Sequence, residues 1–407
     1  MTEQVVIVGA GQAAVQAIDT LRRNRFAGRV TLLGAEPVLP YQRPPLSKKY
    51  LAGTMPPERL SLRPATFYQQ HGVETRLGRR VEEISRHAQR VRLDDGASVA
   101  YDALLLATGS RARPLAVPGA ELDGVFSLRT LGDADRIRPA LTGGGRLVIV
   151  GGGYIGLEVA ATAREMGAAV TVLERAPRVL ERVTCAELSR FYAEEHERHG
   201  VRIVCGVRIQ AIAAQAAQGR VRAVITDDGT EYPADAVLLG VGGLPAAELA
   251  SSAGLSCEDG ILVDEYCRTA DPAIYAAGDC TRHPSPRYGQ RLRLESVDNA
   301  FEQGASAALN LIGRPTVHDK VPWFWSDQYD LKLVIVGVST GYDELVLRGD
   351  PARQAFTACY LRDGELLAVD SVNTPKDQLA ARKLIPARVR PDRTRLADPG
   401  VPLPQAC

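Results

Sequence analysis

Two stretches of the chain are apolar without alternation, and each stops at a cluster of glycines. Val5-Val6-Ile7-Val8 runs into Gly9-Ala10-Gly11, and Leu147-Val148-Ile149-Val150 runs into Gly151-Gly152-Gly153. Such runs predict strands covered on both faces, as in a parallel sheet. Behind the first, Ala13, Ala14, Ala17, Ile18 and Leu21 fall on one face at helical spacing. Behind the second, Leu157, Val159, Ala160 and Ala163 do the same. Each helix leads into a further strand, over residues 29–33 and 169–173. The chain therefore predicts two β-α-β units. Other buried-type strands end in Ala107-Thr108-Gly109, Gly240-Val241-Gly242 and Gly278-Asp279. From about Asp319 the pattern alternates, predicting strands over 332–338, 344–348, 355–362 and 366–372. A helix is expected after Thr374-Pro375, where Pro suits the first helical position. Trp323 and Trp325 read as members of one aromatic turn, and the tail past Arg388, rich in Pro, Arg and Asp, as a loosely ordered wrap.

The glycine clusters give these units a chemistry. Each is a Gly-x-Gly-x-x-(small) fingerprint: Gly9, Gly11, Ala14 and Gly151, Gly153, Gly156. The first Gly makes the tight turn and the second admits backbone close to a pyrophosphate. The third small residue lets helix and strand pack closely. The helix N-terminus then faces the phosphates with orphan N–H groups. Glu36 and Glu174 follow roughly 20 positions on, where an acceptor for ribose hydroxyls belongs. One fingerprint is weak; two, each between strand and helix, predict a flavoprotein that also binds a nicotinamide.

Composition narrows the partners. A chain of 407 residues holds two or three domains. Lys+Arg (49) and Asp+Glu (48) nearly cancel, which argues against a nucleic-acid partner. No apolar run approaches the roughly 18–20 residues of a membrane span. A cleaved leader would have to consume the first fingerprint, so a cytoplasmic protein is expected. Seven scattered cysteines, an odd count with no Cys-x-x-Cys, predict no disulfide framework and no intrinsic metal or iron–sulfur site. They are expected to be small buried side chains and a loose terminal thiol.

The two fingerprints, Ala107-Thr108-Gly109 and Ala277-Gly278-Asp279 resemble the two-dinucleotide flavoprotein reductases of the glutathione-reductase-like superfamily. Four motifs narrow the resemblance: Arg43-Pro44-Pro45-Leu46-Ser47-Lys48, Gly152-Gly153-Tyr154-Ile155-Gly156-Leu157-Glu158, Glu295-Ser296-Val297-Asp298-Asn299-Ala300 and Pro322-Trp323-Phe324-Trp325-Ser326-Asp327-Gln328-Tyr329. In this order they are similar to bacterial oxygenase-coupled ferredoxin reductases of the putidaredoxin-reductase type. The resemblance implies an α/β fold with two Rossmann-like dinucleotide-binding domains plus a C-terminal α+β domain. FAD would take 1–113 and 244–318, NAD(H) 114–243, and the C-terminal domain 319–407.

It also implies roles. Gly9, Gly11, Ala13 and Ala14 would cradle the FAD pyrophosphate, Glu36 the adenosine ribose and Asp279 a ribityl hydroxyl. Val297 would offer a backbone donor to the flavin pyrimidine edge. Arg43, Val81, Thr108, Gly109 and Arg129 would line the FAD site, and Trp325 would cover the flavin. Gly151, Gly153, Tyr154, Ile155, Gly156, Glu158 and Glu174 would hold NAD. Lys48 would stand beside flavin N5, paired with Glu158, where an ammonium offsets the negative charge a hydride brings. Read from the residues alone, Lys48 could equally be a solvated lysine beside Lys49. Glu174 favours NADH, while Arg175 and Arg178 leave a 2′-phosphate open. The loop Gly242-Gly243-Leu244-Pro245-Ala246 departs from the pattern in lacking an Asn after its Pro.

No cysteine lies between Glu36 and Leu62, where the related disulfide reductases carry their reactive thiols. Electrons would then leave the flavin singly, to a [2Fe–2S] ferredoxin supplying a haem-thiolate monooxygenase or a Rieske dioxygenase. Arg63, Arg287, Arg291, Arg293 and Lys332 are candidates for a basic docking face. A rubredoxin reductase shares every motif, and a redox-signalling flavoprotein like apoptosis-inducing factor is the reading from another class.

Overall fold

A computed structural model describes residues 2–215 and 219–407. Contacts divide the chain into two compact units. The first takes the chain up to Gln42, then Glu58–Arg111 and Leu244–Pro322; the second takes Arg43–Pro57, Ala112–Gly243 and Trp323–Cys407.

The first unit is built on a parallel sheet with strand order Ile274–Ala276, Ala103–Leu106, Gln4–Val8, Arg29–Gly34, Val73–Leu77. Because strand side chains alternate between faces, the unbroken run Val5–Val8 feeds two cores. Val5 and Ile7 pack with Ala14, Ala17, Ile18 and Leu21 of the helix Gln12–Arg23, and with Ala307 and Leu311 of the helix Val297–Leu311. Val6 and Val8 pack on the other face with Ile84, Val91 and Val99 of a small antiparallel sheet. The two helices cross closely: a Cβ added to Gly304 would lie 2.5 Å from the Ala13 carbonyl oxygen.

The second unit repeats the plan. Its parallel sheet has the order Arg202–Cys205, Ala169–Glu174, Arg146–Val150, Ala236–Leu239, Val125–Phe126. Val148 and Val150 face an antiparallel three-stranded layer through Ile212, Val224 and Tyr232. The same unit holds an antiparallel five-stranded sheet, ordered Trp323–Gln328, Leu331–Gly337, Glu365–Val372, Ala355–Arg362, Glu344–Asp350, with the helix Pro375–Leu384. The helix Tyr154–Glu165 packs against both the strand Trp323–Gln328 and the turn Pro44–Ser47.

Two local expectations are corrected. The tryptophans lie in a paired strand, not a turn, and being two apart they share a face with ring centroids 5.4 Å apart. The tail is ordered: it forms the helix Arg393–Ala397 and a short turn Leu403–Gln405, with Leu396 and Leu403 buried. What composition could not reveal is the buried guanidinium that grips it. Arg348 pairs with Asp377 at 2.8 Å and donates to the carbonyls of Leu396 and Val401, each at 2.9 Å. Among the described residues no helix is long and apolar enough to cross a membrane.

Candidate dinucleotide sites and the Lys48–Glu158 pair

Both fingerprints are built by the same backbone bonds. Gly9 N–H donates to Leu33 O and Gly151 N–H to Leu173 O, each at 2.8 Å; Ala107 N–H donates to Val8 O and Gly240 N–H to Val150 O, each at 2.7 Å. Gly9 and Gly151 have φ of +108° and +110°, and added Cβ atoms would lie 2.1 Å from Ala107 O and 2.4 Å from Gly240 O. No side chain could stand there. Gly11 and Gly153 are the opposite case, since an added Cβ would meet nothing within 4 Å. These two glycines are the N-caps of their helices, and neither end is capped by its own side chain. Open space in front of uncapped N–H donors fits a diphosphate at each helix end.

In the first unit, Glu36 Oε2 accepts from Tyr41 OH at 2.6 Å, and Asp279 Oδ2 accepts from Ser110 Oγ at 3.1 Å. Thr108 Oγ1 donates to Ala246 O at 2.6 Å, tying Thr108-Gly109 to the unusual Pro-Ala loop. Val297 opens its helix behind Ser296, whose hydroxyl caps Asn299 N–H. Val81 begins the strand Val81–Ser85, half-buried.

In the second unit, Glu174 turns back to its fingerprint. Its Oε2 accepts from Gly152 N–H at 2.5 Å and its Oε1 from Ala176 N–H at 2.8 Å. Arg178 is occupied by the protein itself, donating to Thr184 O, Cys185 O, Ser189 Oγ and Glu181 O. Tyr154 OH is buried without a hydrogen-bond partner among the described residues, and burial pushes it far above its ordinary pKa; the neighbouring Ile155 is exposed.

The second unit also brings Lys48 and Glu158 together, 110 positions apart in sequence. Lys48 Nζ lies 2.6 Å from Glu158 Oε2, and both side chains are largely buried. Ser47 Oγ donates to the same oxygen at 2.6 Å, and Ser326 Oγ donates to Oε1 at 2.7 Å. Lys48 also reaches Pro44 O at 3.3 Å. Two hydroxyl donors therefore hold a buried carboxylate against one ammonium, the pairing a buried charge requires. Sequence reading gave no role to Ser47 or Ser326, although both stand inside the motifs that carried the resemblance. Nearby in the same unit, Arg43 Nη1 donates to Arg129 O at 2.6 Å, and Trp325 stands half-buried on its strand.

The candidate docking cations differ in what already engages them. Arg291 donates to Val263 O at 2.8 Å, and Arg293 pairs with Asp259 and Glu295. Arg63 lies over the Phe67 ring, 4.0 Å from Asp19. Arg287 sits over Tyr288, and Lys332 lies on the strand Leu331–Gly337 of the other unit.

Two dinucleotide cradles and a buried ammonium–carboxylate pair define a two-dinucleotide oxidoreductase. The chain belongs to the pyridine nucleotide-disulphide oxidoreductase family, matched over residues 3–304, with a reductase C-terminal domain matched over 323–407. FAD and NAD(H) are the cofactors of such an enzyme. The chain is 45% identical to the ferredoxin reductase subunit of 5,5'-dehydrodivanillate O-demethylase from Sphingobium sp., over 98% of this chain and 97% of that one. It is similar to the solved ferredoxin reductase for the CYP199A2 system from Rhodopseudomonas palustris, at TM-score 0.96 and 41% identity over the whole of both chains. It is also similar to the covalent putidaredoxin reductase–putidaredoxin complex, at TM-score 0.96 and 43% identity over 99% of this chain and 97% of that one.

Proposed function

We propose that the protein is an NADH-dependent ferredoxin reductase that feeds a [2Fe–2S] ferredoxin serving a haem-thiolate monooxygenase. NADH and two oxidised ferredoxins give NAD(+), two reduced ferredoxins and one proton. Bound FAD supplies the chemistry that joins the two halves, taking a hydride and releasing electrons singly. The chain's residues do the rest. Gly9, Gly11, Ala13 and Ala14 would hold the FAD diphosphate, Glu36 its adenosine ribose, and Asp279 and Val297 its flavin end. Thr108, Gly109, Arg43, Val81, Arg129 and Trp325 would line the site. Gly151, Gly153, Tyr154, Ile155 and Gly156 would hold NADH. The FAD domain is assigned to 1–113 and 244–318, the NAD domain to 114–243 and the C-terminal domain to 319–407.

The observation that carries this reading is the buried Lys48–Glu158 pair. An ammonium fixed by a carboxylate stabilises negative charge developing on a hydride acceptor. Glu174 supports NADH, since its carboxylate would repel a 2′-phosphate and Arg178 is not free to bind one. All seven cysteines are unpaired, and none lies between Glu36 and Leu62, which supports single-electron exit rather than thiol exchange. Docking is assigned to the candidate cations Arg63, Arg287, Arg291, Arg293 and Lys332. The test is NADH-driven cytochrome c reduction with and without a small [2Fe–2S] protein. Strong dependence on that protein is expected. A long-lived NADH charge-transfer band with little turnover would overturn the reading in favour of a signalling flavoprotein.

A further inference from the structure

The Lys48–Glu158 pair is one end of a longer line of polar contacts. Ser326 Oγ lies 2.7 Å from Glu158 Oε1, and Gln328 Nε2 lies 3.1 Å from Ser326 Oγ. Gln328 Oε1 lies 2.8 Å from His196 Nε2, and Tyr329 OH lies 3.0 Å from His196 Nδ1. Ser326, Gln328 and His196 are buried, and all these residues belong to the second unit.

Chemistry forces the direction of every bond. A carboxylate can only accept, so Ser326 must donate to it. With that proton committed, Ser326 can only accept from Gln328, so the amide nitrogen faces the serine and the carbonyl faces His196. The carbonyl needs a donor, which places the imidazole proton on Nε2. Nδ1 is then a lone pair, and the Tyr329 hydroxyl donates to it. Burial supports the neutral ring by lowering His196 to about 4.

We propose that Tyr329, His196, Gln328 and Ser326 form a one-way hydrogen-bond chain that orients Glu158 for Lys48, with His196 and Gln328 as positioning residues. By holding Oε1, the chain leaves Oε2 to face the ammonium. Donors aligned in one direction polarise one another, so the outer members reinforce the inner contact. The turn serves the same end. Tyr329 takes φ +55°, a left-handed backbone rare for a bulky residue, at the corner between the strands Trp323–Gln328 and Leu331–Gly337. Its ring stacks on His199 at 3.7 Å and 12°, which fixes the phenol beside His196.

This inference rests on the ferredoxin-reductase reading, and its test separates the two. In the FAD-loaded protein, His196→Leu should slow flavin reduction by NADH on the order of tenfold to a hundredfold, the penalty of a displaced reacting group. The dissociation constant for NADH should change by less than about twofold, because the lost contact orients rather than binds. His196→Gln, whose amide can again donate to Gln328, should recover most of the rate. Independently of flavin, 15N spectra of the histidine rings should show His196 protonated on Nε2 and bare on Nδ1. A proton on Nδ1, or a folded His196→Leu protein that reduces flavin at the unaltered rate, overturns the chain. If His196→Leu does not fold, Tyr329→Phe removes only the outermost donor and should give a smaller loss; an unchanged rate there also overturns it. Failure of the parent reading looks different: the unaltered protein itself would not pass electrons from NADH.

Discussion

In the proposed reaction a lysine with a carboxylate beside it carries the chemistry, so single substitutions there are the most direct tests. Lys48→Met removes the ammonium while keeping the stem. Flavin reduction by NADH should fall on the order of a hundredfold to a thousandfold, with the flavin still bound, as measured by rapid mixing. Glu174→Ala should narrow the proposed preference for NADH over NADPH, since the carboxylate that would repel a 2′-phosphate is gone. The ratio of kcat/KM for the two nucleotides checks it. Sequence reading reached Lys48 and Glu158 through motifs far apart in the chain, which periodicity cannot join. Ser326, Gln328 and His196 escaped it because a polar residue in a strand or helix reads as solvated until a neighbour covers it. His196 stands on the helix Ala186–Arg198 among Glu194, Glu195 and Glu197, the composition of an exposed face, yet it is buried.

At the level of elements, the two β-α-β units were legible because their apolar runs and glycines are local signals. Their differences were not. The first unit carries Ala14 where the second has Gly156, and the fingerprint treats them alike. In the structure a Cβ at Gly156 would lie 2.2 Å from Gly151 O, so only the first unit has room for alanine there. Gly156→Ala should therefore weaken NADH binding and cost about 1–3 kcal/mol by overpacking, read from calorimetric binding and thermal melting. The tail fails as a sequence reading for a related reason. Its composition is that of a mobile segment, and its anchors lie on strands and a helix well before it. Leu396→Ala should destabilise by about 2–5 kcal/mol, the cost of emptying a fully buried leucine site.

For the whole molecule, buried titratable groups set the response to acid. Desolvation lowers His196 and His283 to about 4 and His318 to about 3, from 6.5. Between pH 6.5 and 4 the unfolded chain binds more protons, so unfolding free energy rises with pH across that window. The stability these rings contribute is complete above 6.5 and is lost as pH falls towards 4. Asp370, raised by burial from 3.8 to about 6, acts in the opposite sense: its contribution is present at low pH and is lost as pH rises through 6. Three rings outweigh one carboxyl, so the urea midpoint should drop as pH goes from 7 to 5; a flat profile would refute this balance. With net charge near zero, steering of the proposed ferredoxin partner would come from a local patch. Arg63→Glu or Lys332→Glu should raise its KM and flatten the salt dependence of kcat/KM.

Lys48, Ser47, Glu158 and Ser326 all lie within one unit of the fold. The side chains around this charge are thus set in place when the polypeptide folds. In the proposed reaction each catalytic cycle would inherit a dipole already aimed, and little of the barrier would go into rearranging it.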